Sequence, residues 1–133
     1  MALFTELNIY KTAHELSVLC NRYVATMDRN YRGTIGADMR RDCREIIQRI
    51  QIANGRFGNE RIAHIEELRW AVGQVEVAAR ICADRRIRAL TPRQQADVIL
   101  LTQSIGKQST GWKQQTEKAL ANPVAKAAGS MRN

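Results

Sequence analysis

The chain has 133 residues, the size of one domain able to bury a core without disulfide or metal staples, and its two prolines, Pro92 and Pro123, leave a long stretch open to uninterrupted helices. The opening Met-Ala-Leu-Phe-Thr-Glu lacks the basic start and apolar run of a signal peptide, and no apolar run nears the roughly 20 residues of a membrane span, which predicts a cytosolic protein without membrane contact. Twenty-one basic residues, mostly arginine, against 13 acids give a formal charge of +8, and arginine's planar fork suits phosphate or carboxylate, pointing to nucleic acid or an acidic partner.

Apolar residues recur at three-and-four spacing from about Leu7 to Met27, as Tyr10, Ala13, Leu16, Cys20, Tyr23, Val24 and Met27, and predict a first helix. Asp28 to Gly33 breaks the pattern; Thr34 offers an N-cap, and Ile35, Met39, Cys43, Ile46, Ile50 and Ala53 trace a second helix to about Asn54. After the turn Asn54-Gly55-Arg56-Phe57-Gly58, a third stripe runs through Ile62, Ile65, Leu68, Val72, Val75, Ala79 and Cys82 to near Asp84. Thr91-Pro92-Arg93-Gln94 combines a capping threonine, proline at the first helical position and glutamine three residues after the cap. It opens a fourth helix with Val98, Leu101, Ile105, Ser109 and Trp112 on one side, and Pro123 with the small, polar residues after it marks a flexible tail over 122–133. Short connections force antiparallel neighbours, so residues 1–121 are predicted to form an all-α, up-down-up-down four-helix bundle.

Two surfaces stand out in that arrangement. On the third helix Ala63, Trp70, Val77 and Ile81 fall opposite the core stripe, and on the fourth Leu100 also points away from the core. This set is expected to form a subunit interface. The first and third turns share one end, bringing Arg29 and Arg32 near Arg85, Arg86, Arg88 and Arg93. Arg40 and Arg44 join this basic pole and have no acid three or four residues away, whereas Arg41 has Asp38 and Glu45 within pairing reach. The unpaired arginines are expected to contact backbone phosphates, with affinity that falls steeply as salt rises.

Nothing in the sequence prepares a catalytic site. It has no phosphate-binding glycine loop, nucleophile elbow or zinc-type Cys/His spacing, so no cofactor is expected. Glu60 precedes His64 by four residues, whereas paired-metal bundles use Glu-x-x-His on two helices, and His14 has no partner motif, so no metal is expected either. Cys20, Cys43 and Cys82 are odd in number and lie on the apolar stripes, which predicts buried free thiols.

Several short segments, in order, are Tyr10-Lys11, Tyr31-Arg32-Gly33-Thr34-Ile35-Gly36, Ala53-Asn54, Ile105-Gly106 and Gly111-Trp112. Together, across about Ile9 to Trp112, the chain resembles the accessory variability determinant (Avd) family of diversity-generating retroelements; Ile105 through Trp112 is the most specific piece. The resemblance implies a four-helix protomer assembled into a homopentameric barrel, a non-enzymatic accessory subunit that binds the retroelement's reverse transcriptase and nucleic acid, template RNA or cDNA, during mutagenic copying. The chain is also similar to the four-helix-bundle proteins encoded by intervening sequences of bacterial ribosomal RNA genes. That likeness implies a general basic nucleic-acid-binding bundle, and a purely structural oligomer is the third reading. Neither family's pattern identifies single binding residues, so the arginines above rest on topology alone.

Overall fold

A computed structural model describes residues 3–121, all of whose regular elements are helical. A 3₁₀ turn at Phe4–Glu6 leads into α1 (Asn8–Ala25); α2 (Arg29–Arg32) is a single turn, and α3 (Ile35–Asn54), α4 (Gly58–Cys82) and α5 (Pro92–Ala121) are long. Four long helices therefore make a bundle, and the tail expected over 122–133 lies outside the described residues. No helix among these residues is long and apolar enough to cross a membrane.

The helical period puts the apolar stripes inside. Leu16, Cys20 and Val24 of α1, Met39, Cys43 and Ile50 of α3, and Leu68, Val75 and Cys82 of α4 are buried in one cluster with Val98 and Ile105 of α5. Contacts join α1 to α3, α3 to α4, α4 to α5 and α5 back to α1. Long-range bonds set the register: Tyr23, near the end of α1, donates its hydroxyl to Asp97 near the start of α5 at 2.9 Å. Thr12, near the start of α1, accepts from Gln108 at 3.0 Å.

Cys20, Cys43 and Cys82 are free and buried, as expected. Burial and the neighbouring Cys20 push the Cys82 thiol up to about 11, and Cys20 together with burial pushes Cys43 further up, so both stay protonated.

Three features differ from the sequence reading. The Asp28–Gly33 break contains α2, because the Asp28 carboxylate caps it by accepting from the Asn30 amide at 2.9 Å. Thr34 makes no side-chain cap for α3; its hydroxyl donates backward to the Asn30 carbonyl at 2.9 Å and closes α2 instead. On α5 the fully buried set is Val98, Thr102, Ile105, Ser109 and Thr116, with Leu101 and Trp112 only partly buried. Those three hydroxyls bond to the Ile99, Gly106 and Trp112 carbonyls of their own helix, so each enters the core with its polar atom satisfied. The capping box at α5 forms as read: Thr91 N–H donates to Gln94 Oε1 at 3.0 Å, and Gln94 N–H to Thr91 Oγ1 at 3.1 Å.

The helix-interior glycines divide sharply. At Gly36 a Cβ would sit 2.8 Å from Val24 Cγ1, 3.1 Å from the Tyr31 carbonyl and 3.2 Å from Met27 Sδ, so close approach of α3 to the α1–α2 corner requires glycine. At Gly73, Gly106 and Gly111 a Cβ would meet nothing within 4 Å. Packing within one chain therefore does not account for Gly111, although such a glycine costs about 1 kcal/mol against alanine.

This contrast predicts opposite responses to one substitution. Gly36→Ala should lose about 1–3 kcal/mol from overpacking despite alanine's better helix propensity, whereas Gly106→Ala should gain several tenths of that scale or more in an isolated subunit. Urea melts of the two variants read the signs directly; a stabilised Gly36→Ala would show that the corner is loose.

Candidate functional site

The basic end is built where α1 finishes and α5 begins. The charges of Arg22 and Arg93 both act on the Tyr23 phenol, which places these two arginines beside the Tyr23–Asp97 bond. Burial first, then the Asp97 hydrogen bond and charge, raise the Tyr23 pKa above its ordinary value; the two arginines pull the other way. Tyr23 therefore stays a neutral donor at physiological pH, holding the two helices together amid like charges.

Arg29 and Arg32 lie on α2, directly beyond α1, and are exposed. Arg85, Arg86 and Arg88 occupy the connection before α5, which is ordered by its own bonds. Ile87 and Arg88 amides donate to the Asp84 carbonyl at 2.9 and 2.8 Å, and the Leu90 amide donates to the Cys82 carbonyl at 2.9 Å. Leu90 is buried, pinning the connection to the core. Arg88 takes φ 53, the left-handed region that a side chain enters at a cost, so its position is imposed by the surrounding bonds.

The arginines are not equivalent. Arg86 grips Asp84, with Nε to Oδ1 at 3.0 Å and Nη2 to Oδ2 at 3.1 Å, and its amide also donates to Oδ1. These bonds hold the Asp84 carboxyl down at about 2. Since that lies below its ordinary 3.8, its support for the loop is complete above 3.8 and is lost as pH falls through about 2. Arg88 donates from Nε to the Arg85 carbonyl at 3.0 Å.

Arg40 departs from the expectation of an unengaged side chain: it is half-buried against α1, its Nη2 pointing at the Asn21 carbonyl at 3.4 Å and its buried Nε without a hydrogen-bond partner. Helix periodicity shows acids within one helix but not a neighbouring helix's carbonyl. Arg44, one turn further, is exposed. Arg41 pairs with Asp38 at 3.2 Å as expected, but Glu45 is taken by Arg49 at 2.7 Å, which also reaches Glu67 of α4 at 2.8 Å and donates to His64 Nδ1 at 3.1 Å. Arg29, Arg32, Arg44, Arg85 and Arg93 enter no ion pair among the described residues.

The outward set lies where the helical wheel puts it. Trp70 is 73% exposed, Leu100 69%, Val77 52% and Ile81 47%, and Ala63 is exposed beside them. On the α3 side of Trp70 a hollow is lined by Asp42, Glu45, Glu66 and Glu67; burial and the nearby Asp38 and Glu45 charges raise the Asp42 pKa, against the pull of Arg41.

At the opposite end lies Arg61, which helix periodicity does not single out. Its Nε donates to the Ala53 carbonyl at 2.9 Å at the end of α3, and its guanidinium carbon lies 5.4 Å from the Phe57 ring centre and 5.5 Å from that of Trp112. Burial lowers its pKa below the ordinary guanidinium value. Among the described residues no group of three or more histidine, cysteine or acidic side chains is placed to hold a metal ion. Comparison with models of known protein families, with curated proteins and with solved structures finds no match.

Two substitutions in the ordered loop should move nucleic-acid affinity in opposite directions. Arg88→Gly removes a charge while relieving the left-handed backbone, so binding to a short RNA at low salt should weaken several-fold with the melting point held or raised. Asp84→Asn removes the acid that grips Arg86 and should strengthen binding and steepen its salt dependence. Fluorescence anisotropy across a salt series reads both; unchanged affinity in both variants would exclude this loop from the contact surface.

Proposed function

We propose that the chain is a non-enzymatic accessory subunit of a diversity-generating retroelement, a four-helix bundle that associates with itself, with the reverse transcriptase and with RNA or DNA through phosphate contacts. The observation that carries the reading is the group of unpaired arginines at one end of a small helical molecule whose other outward face is apolar. A phosphate backbone answers such charges without base-specific pockets, and ordered donors lose little entropy on binding. The Tyr23–Asp97, Thr12–Gln108 and Arg49–His64 contacts support an up-down-up-down, antiparallel course for the long helices. The outward tryptophan and aliphatics support assembly, for which the resemblance suggests a pentameric barrel. A cytosolic setting suits the free thiols.

The test is co-expression with the reverse transcriptase encoded beside it, followed by a tagged pull-down in high salt with nuclease. The enzyme should stay with the subunit, since a protein–protein contact outlasts digestion of shared nucleic acid. Loss of the enzyme overturns the adaptor role. Salt-sensitive RNA or DNA binding would then identify a general nucleic-acid-binding bundle of the intervening-sequence kind, with charge reversal at Arg85 and Arg93 weakening it at least tenfold at low salt. Assembly without either partner would identify a structural oligomer.

A further inference from the structure

We propose that the basic pole takes double-stranded nucleic acid, holding the phosphate rows of both strands from two opposite edges and leaving the bases unread. The proposal rests on the nucleic-acid reading above and deepens it by naming the form of the ligand.

Contacts between separate elements assemble the pole. A Cβ at Gly36, in the first turn of α3, would meet Val24 at the end of α1 and Met27 just beyond it. Tyr23 of α1 reaches Asp97 of α5, and the Leu90 amide ties the connection before α5 to the end of α4. The long helices touch one another in the ring α1, α3, α4, α5. Because α2 joins α1 to α3, it spans one side of that ring, and the 83–91 connection spans the side between α4 and α5, opposite it. Exposed cations stand on both edges: Arg29 and Arg32 on α2, Arg85 on the connection and Arg93 in the first turn of α5. None of the four enters an ion pair among the described residues. Packed helix axes lie about 8–10 Å apart. That spacing falls within the groove widths of about 6–12 Å that separate the phosphate rows of a duplex. A single strand offers one row and can answer only one edge.

The position of every aromatic ring points the same way. Proteins that hold single strands set stacking rings beside their cations. The chain has two tryptophans, three tyrosines and two phenylalanines, and the described residues include all of them. Phe4 packs edge-on against Tyr10 at the start of α1, and Phe57 and Trp112 flank Arg61 at the far end. Trp70, the exposed ring, belongs to the apolar ridge that α4 carries with Val77 and Ile81, about 18 Å of helix short of Cys82. Only Tyr23 and Tyr31 lie at the pole; both are packed against the core, and the Tyr23 hydroxyl is committed to Asp97. The pole therefore presents arginine forks without a free ring face. A surface of this kind gains from phosphate density alone, and a duplex carries one charge per about 1.7 Å of axis, twice the density of one strand.

Fluorescence anisotropy with RNA and DNA duplexes of about 16 base pairs, and with each of their strands alone, tests this across a salt series. A duplex should bind about tenfold or more tighter than its own strands. Its affinity should fall about twice as steeply with salt, because more phosphates are engaged and each releases more counterion. The RNA and DNA arms identify which groove spacing the edges fit, and preference for either duplex over its strands supports the assignment. Arg29→Glu/Arg32→Glu and Arg85→Glu/Arg93→Glu, with helicity followed by circular dichroism, should each bring duplex affinity down to about that of a single strand. Single strands bound as tightly as duplexes by the wild type overturn the assignment and leave the nucleic-acid reading standing, whether or not the variants fold. Duplex preference retained in both folded variants overturns the two-edge contact. Absence of binding to either form at low salt overturns the nucleic-acid reading itself.

Discussion

Closure of one core by four stripes is the constraint on which the rest of the molecule depends. The buried surface is made largely of small or slender residues, with Ala13, Cys20, Cys43, Ala53, Ala71, Ala78, Ala79 and Cys82 set among Leu16, Met39, Ile46, Ile50, Leu68 and Ile105. Small side chains let helices approach closely, so van der Waals contact along their length substitutes for bulk. Even the hydroxyls of Thr102, Ser109 and Thr116 serve as packing groups once bonded back to their own helix. Trp70 and Leu100 stay outside this core because the helical period turns them away from it.

The two ends of the bundle handle positive charge differently. At the end formed by the α3–α4 turn, Arg61 is folded in: its Nε adds a bond to the Ala53 carbonyl, which also accepts from the Arg56 amide, and its guanidinium lies near two aromatic rings. Its charge contributes to structure. At the other end most arginines face solvent from an ordered connection and from the single turn α2, and Asp84, Asp97 and Asp28 beside them are each already engaged. The repulsion this creates has to be offset by Leu90, by the Tyr23–Asp97 bond and by the capping box at Thr91. Fixed, unpaired cations maintained against that repulsion are what a polyanion-binding surface requires.

Separation of the apolar and cationic surfaces gives the molecule two independent means of contact. The apolar ridge runs along α4, while the arginines gather at a pole, so under the proposed function an assembly formed through the first would leave the second accessible. In that proposed assembly, repeated weak phosphate contacts would raise effective affinity without any new contact in the subunit.

The sequence by itself determined the class of fold, the helix boundaries to within a few residues, the capping box, the buried thiols and the outward ridge, because all of these follow from the 3.6-residue period and from local cap chemistry. Tertiary structure decided what periodicity cannot express. It bent Arg40 onto the Asn21 carbonyl, gave Glu45 to Arg49 in place of Arg41, and paired Tyr23 with Asp97 across 74 positions. It also separated Gly36, which the fold needs, from Gly73, Gly106 and Gly111, which it does not. The physical reason is the same in each case: a helical pattern specifies which direction a side chain leaves its own axis, but only the neighbouring helix determines what lies there.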